Sequence, residues 1–126
     1  MRETLRAFAD QEVDGAWFGR SGRLTLPTVR DVAPYRSADG QVEVDALAET
    51  VSGELWAVEL KWQNKVVVEK ELTALAAKAR TLNARPWCVS RSGFTPAARA
   101  YVEANNILIS TRADLEKIER TVRAVL

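Results

Sequence analysis

The chain has 126 residues, of which 47% are hydrophobic and 28% charged, and its formal net charge is +1. These are the proportions of a soluble globular chain with room for one core, and so small a charge gives no global basic field; nucleic-acid binding would need a local patch. With no histidine and one cysteine, imidazole triads, imidazole bases, zinc sites and disulfides are excluded, and any metal must be a hard cation on oxygen ligands, Mg²⁺ or Mn²⁺.

Residues 2–13 read as a helix, with Leu5, Phe8 and Ala9 on one face, Val13 continuing it and Gly15 at its end. Trp17 and Phe18 precede a Gly/Arg/Ser loop. Pro27 and Pro34 then bracket T-V-R-D-V-A, which suits a short strand near Val29. After the turn Ser37-Ala38-Asp39-Gly40, the segment Q-V-E-V-D-A-L-A-E alternates as a strand. Val42, Val44 and Ala46 share one face there, and Asp45 projects from the other.

A second turn at 50–53 leads into L-W-A-V-E-L-K-W, a short apolar run that suits a strand buried on both faces. At residues 68–83 the period changes from 2 to 3.6, and Leu72, Leu75, Ala76, Ala79 and Leu82 form one apolar stripe. W-C-V is a short buried strand in which Cys88 is an inert thiol, as suits a reducing cytoplasm. Thr95 caps a helix with Pro96 at its first position, I-L-I makes another strand, and Thr111-x-x-Asp114 opens a final helix through Leu126. No apolar run approaches the length of a membrane span and no signal peptide is present, so the expectation is one cytoplasmic domain over 1–126 with no membrane contact. Its abrupt start in a helix also suits a fragment of a longer protein.

Glu59 and Lys61 are two residues apart on one strand and therefore share a face. Charges that end a buried strand are costly unless something uses them. With 17 acids in the chain, chance alone supplies on the order of one acid-x-Lys triplet, and spacing alone leaves a site level with an ordinary same-face ion pair. Context raises the site: the preceding hairpin brings Asp45 alongside, and a divalent cation relieves the repulsion between two carboxylates. Lys61 could then orient or help deprotonate water, or stabilise charge on a phosphate. Trp56 and Trp62, both opposite Glu59, read as core rather than as platforms for bases.

An acid, then E-x-K one hairpin later, then a helix resembles the PD-(D/E)XK nuclease superfamily. E-L-K-W-Q-N-K-V is similar to the nuclease-like domain at the C-terminus of a group of prokaryotic AAA-type ATPases. S-R-S-G-F-T-P-A-A-R-A-Y with I-L-I-S is similar to that group and to Mrr-like endonucleases; the resemblance spans about residues 42–118.

It implies an α/β, restriction endonuclease-like αβββαβ core, a mixed sheet flanked by helices, with an additional C-terminal strand and helices. It makes Asp45 and Glu59 metal ligands helped by the Leu60 carbonyl, and Lys61 the catalytic lysine. Gln63 and Asn64 would lie at the rim, and Val44 stands where the superfamily's name has Pro. The helical acid that completes many such sites has two candidates, Glu3 and Glu12. Lys65, Lys70 and Arg91 are candidate phosphate contacts, each read first as solvated surface.

The leading expectation is a Mg²⁺- or Mn²⁺-dependent deoxyribonuclease acting on DNA. The alternative is a weak or inactive nuclease fold used for DNA binding or for assembly with an ATPase domain or subunit. A homodimer that pairs two sites is compatible with either.

Overall fold

A computed structural model describes residues 1–124. Helix α1 (Arg2–Arg6) is followed by strand β1 (Glu12–Asp14), a 3₁₀ turn (Gly15–Phe18) and strand β2 (Arg23–Thr25). A meander follows: β3 (Val29–Arg36), β4 (Glu43–Thr50) and β5 (Leu55–Lys61). The chain then alternates α2 (Glu69–Leu82), β6 (Ala84–Ser90), α3 (Pro96–Asn105), β7 (Leu108–Thr111) and α4 (Arg112–Arg123). β1 and β2 pair as a small ribbon. The main sheet runs β3-β4-β5-β6-β7, antiparallel through β5 and parallel from β5 to β7. This is the expected αβββαβ core with its added strand and helices.

The N-terminal helix is shorter than its periodicity suggests. Asp10 adopts φ 65°, and Gln11 turns back to accept from Ala9 N–H at 2.6 Å and donate to the Ala7 carbonyl at 2.8 Å. Val13 consequently lies in β1, paired with Leu24. The last helix runs to Arg123 with Ala124 as its C-cap; the rest of its expected course, residues 125–126, lies outside the described residues.

Alternation assigns the core to two faces. From β5, β6 and β7, Trp56, Val58, Trp87, Val89 and Leu108 pack with α1 and α4 through Leu5, Leu115, Ile118 and Val122. Cys88 and Ile109 face α2 and α3, with Leu72, Leu75, Ala98 and Val102, and Ala57 packs on Ala79. The central strands are thus covered on both sides, as continuous apolar runs require. Phe8, Phe18, Trp56 and Trp87 form one aromatic cluster, with Phe18–Trp87 centroids 5.0 Å apart and Trp56–Trp87 edge to face at 6.0 Å. The buried indoles keep their hydrogen bonds: Trp87 Nε1 donates to Ser110 Oγ at 2.8 Å and Trp56 Nε1 to Glu54 Oε1 at 2.6 Å.

Candidate active site

Beyond the buried Trp56, Ala57 and Val58, β5 ends in three half-buried residues, Glu59, Leu60 and Lys61. Its carboxyl end and that of the parallel β6 open into two loops, residues 62–68 and 91–95, which are fastened together. Arg91 N–H donates to the Lys61 carbonyl at 3.1 Å, Ser92 Oγ donates to the Gln63 carbonyl, and Val67 N–H donates to the Gly93 carbonyl at 2.9 Å. The carboxyl ends of parallel strands are where open α/β sheets bind ligands.

Glu59 and Lys61 share a face, as alternation demands, with Lys61 Nζ 3.5 Å from Glu59 Oε2. α2 adds a second pair. Lys78 Nζ lies 3.2 Å from Glu59 Oε1 and Glu71 Oε2 lies 3.6 Å from Lys61 Nζ. Each Glu59 oxygen therefore faces its own ammonium, and the Glu59 side chain is only 12% exposed. Such a buried carboxylate needs partners of this kind.

A bulge in β4 brings Asp45 in. Ala33 pairs with Leu47 but Tyr35 with Val44, so Pro34 alone faces both Asp45 and Ala46. The strand turns over there: Val44 packs with Ala57 and Ala79, while Ala46 joins the opposite face. This corrects the expectation that Val44 and Ala46 share a face. The β4–β5 ladder reaches only Ala46 and Val58, and beyond it the Leu60 N–H is taken by Asp45 Oδ2 at 2.7 Å.

Electrostatics bind the group together. Burial pulls the Lys61 pKa down, but Glu59 and Glu71 outweigh it and leave it above the ordinary lysine value. Cys88, level with Glu59 across β5 and β6, is pushed up to about 12, first by burial and then by the Glu59 charge, with Glu71 and Asp45 acting in the same sense.

Glu59, Leu60 and Lys61 thus gather at the end of β5, and exposed Asp45 is tied to them through the Leu60 N–H. Gln63 is half-buried at the rim, where its amide donates to the Lys65 carbonyl at 3.4 Å, and Asn64 is exposed beside it. Lys65, Lys70 and Arg91 are exposed on the two loops and the start of α2. Glu3 and Glu12 do not join them. Glu3 is exposed on α1, and Glu12 pairs with Arg23 at 2.9 Å in the ribbon; both elements pack on the opposite face of the sheet. The helical acid that reaches Lys61 is Glu71. Trp62, expected in the core, is 49% exposed, because the strand and its alternation stop at Lys61. Glu71 and Lys78 escaped the sequence reading, although a seven-residue spacing sets two side chains on one helix face two turns apart.

Among the described residues, no three acidic or thiol side chains converge closely enough to hold an ion by themselves. A hard cation here would take one oxygen each from Asp45 and Glu59 and a backbone carbonyl, that of Leu60. The chemistry fits: three carboxylates stand against two ammonium groups, and Asp45 uses only Oδ2 internally among the described residues.

Residues 23–118 match the model of the Mrr_cat family, described as restriction endonuclease. The chain belongs to this restriction endonuclease family. The matched segment contains the whole of the site. Endonuclease families of this type act on DNA and generally use divalent metal ions. Comparison with curated proteins found no match. Among solved structures, the chain is similar to a protein of unknown function, AF1548, with 19% identity and a TM-score of 0.53. The overlap covers 66% of this chain and 48% of that one. A repair endonuclease from Pyrococcus abyssi shows 19% identity and a TM-score of 0.45 over 66% of this chain and 38% of that one. The chain thus spans about half the length of the first structure and less of the second. No helix among the described residues is long and apolar enough to cross a membrane.

Proposed function

We propose that the chain is a metal-dependent DNA nuclease domain that hydrolyses phosphodiester bonds through metal-activated water. The observation that carries this reading is that the Glu59–Lys61 pair ends β5 while Asp45 holds the intervening Leu60 N–H, inside the segment that matches the endonuclease family. Asp45, Glu59 and the Leu60 carbonyl would hold Mg²⁺ or Mn²⁺, which when bound lowers the pKa of a water and offsets charge on the scissile phosphate. Lys61, kept as an ammonium by its two glutamates, is suited to stabilising charge that develops on a phosphate oxygen. That favours the electrostatic role over the role of base. Glu71 holds Lys61 from the first turn of α2, and Lys78 holds Glu59 from two turns further on. Lys65, Lys70 and Arg91 would meet the DNA backbone, and Gln63 and Asn64 the rim of the substrate.

Purified protein on plasmid and branched DNA, with and without Mg²⁺ or Mn²⁺, tests this. Metal-dependent cleavage is expected, with Lys61→Ala slower by roughly 10²- to 10³-fold, the worth of one charge-stabilising donor. Equal residual cleavage by both proteins would sink the catalytic claim.

One observation favours a second reading. Both Glu59 oxygens already have ammonium partners, an arrangement that serves equally a nuclease fold kept for DNA binding or for assembly beside an ATPase. DNA binding that needs no metal, persists in Asp45→Asn and is accompanied by no cleavage would select it.

A further inference from the structure

We infer that Trp62 is a stacking platform for unpaired bases, so that the substrate of this site is DNA with single-stranded character beside the bond to be cut. The inference deepens the nuclease reading and rests on it. Four large apolar side chains are exposed among the described residues: Val51 at 63%, Trp62 at 49%, Val66 at 43% and Val68 at 37%. Three of the four lie within seven residues, in the loop that leaves Lys61. The fold has room for indoles elsewhere, since Trp56 and Trp87 are almost wholly buried. Folding therefore gives no reason to leave this one half in water, and a cluster of exposed apolar groups beside a candidate site marks a binding surface.

The exposure is not that of a frayed loop. Arg91 N–H holds the Lys61 carbonyl and Ser92 Oγ the Gln63 carbonyl, on either side of Trp62. Val67, with no exposed surface, bridges to Phe94, and its carbonyl takes Thr95 N–H at 3.0 Å. Trp62 is thus presented on a fixed frame, one residue beyond the lysine proposed to face the phosphate. A platform held in place loses little freedom when a base settles on it.

Charge chooses the occupant. Exposed Lys65, Lys70 and Arg91 lie on the two fastened loops and the start of α2 and form no ion pairs among the described residues, against two exposed acids, Glu69 and the Asp45 that holds Leu60 N–H. Cations interleaved with an aromatic group suit a polyanion that also offers flat apolar faces, which is a nucleic acid. In a duplex those faces are stacked on one another; only an unpaired or splayed base can offer one to an indole.

The test is made in EDTA, so that nothing is cleaved, with three labelled probes: a single strand, a blunt duplex and a duplex with a single-stranded flap. Anisotropy gives affinity, and intrinsic fluorescence reports contact with an indole. Quenching by the single strand and the flap is expected. Trp62→Ala should weaken both by roughly 5- to 100-fold, the range of one base–aromatic stack, while shifting the blunt duplex less than about twofold. Trp62→Phe should retain most of the affinity. Lys65→Ala should weaken all three probes alike and flatten the salt dependence. Circular dichroism and the unfolding midpoint confirm that each variant is folded.

Equal losses on all three probes, no loss, or a Trp62→Ala effect confined to self-association or to a protein partner would each overturn the inference. Because cleavage plays no part in this measurement, its failure leaves the Lys61→Ala comparison standing as the separate test of the nuclease reading.

Discussion

Glu59 is gripped by two ammonium groups from different elements, Lys61 from its own strand and Lys78 from α2. A carboxylate held in this way is ready for a cation but already partly neutralised, so Lys78 competes for the oxygen that a metal would use. Replacing Lys78 by Met removes that competitor and one positive charge from the site. Mn²⁺ binding, followed by calorimetry or by the loss of the free-ion electron paramagnetic resonance signal, should tighten in Lys78→Met; weaker binding would show that Lys78 builds the site. Neither Lys78 nor Glu71 was visible in the sequence, because the apolar stripe of α2 fixes which face is buried but not which charged neighbours curl over its edge. Trp62 departs from its expected place for a related reason: alternation would turn it inward, but the strand ends one residue earlier, at Lys61.

Among the elements, β4 shows how a bulge converts an ordinary strand acid into a site residue. The alternation of Q-V-E-V-D-A-L-A-E located the strand and its acid, yet nothing in that pattern announced the two-for-one pairing opposite Pro34. The consequence is that Asp45 has a structural duty, accepting Leu60 N–H, besides the proposed metal-binding one. The two duties separate by substitution. Asp45→Asn keeps an oxygen that can accept the hydrogen bond, and should fold within about 0.5 kcal/mol of the parent while losing Mn²⁺ affinity. Asp45→Ala should lose both, at a further cost of about 1 kcal/mol in denaturant unfolding. If Asn and Ala variants bind Mn²⁺ like the parent, Asp45 serves only the strand. Helix starts were more legible, since a cap is local chemistry: Thr95 accepts from Ala98 N–H at 3.1 Å and Thr111 from Asp114 N–H at 3.2 Å. The first helix was less so, because Leu5, Phe8 and Val13 all turn inward although helix, loop and strand carry them there in turn.

For the molecule as a whole, the site is built into the packing that covers the α2 and α3 face of the sheet. Cys88 belongs to that core and lies level with Glu59, so its thiol is kept protonated first by burial and then by the carboxylates of the site. This couples folding to alkaline pH with a definite sign. The folded thiol titrates at about 12 against an ordinary value of 9.0, so between those limits the folded chain retains a proton that the unfolded chain has released. Stability is complete below the unfolded value and falls as pH rises, by about 1.4 kcal/mol for each pH unit. The raised lysine of the site, Lys61, adds a loss of the same sign only as pH passes beyond the ordinary lysine range. Guanidinium unfolding between about pH 8 and 10 therefore isolates the thiol. The parent should hold steady to about pH 9 and then decline. Cys88→Ala should start lower for its lost volume and remain flat over the same interval. A parallel decline in both proteins would mean that Cys88 is not the group responsible. Rapid alkylation of native Cys88 at pH 8 would in turn show that the packing beneath the site opens far more readily than the closed α2 face implies.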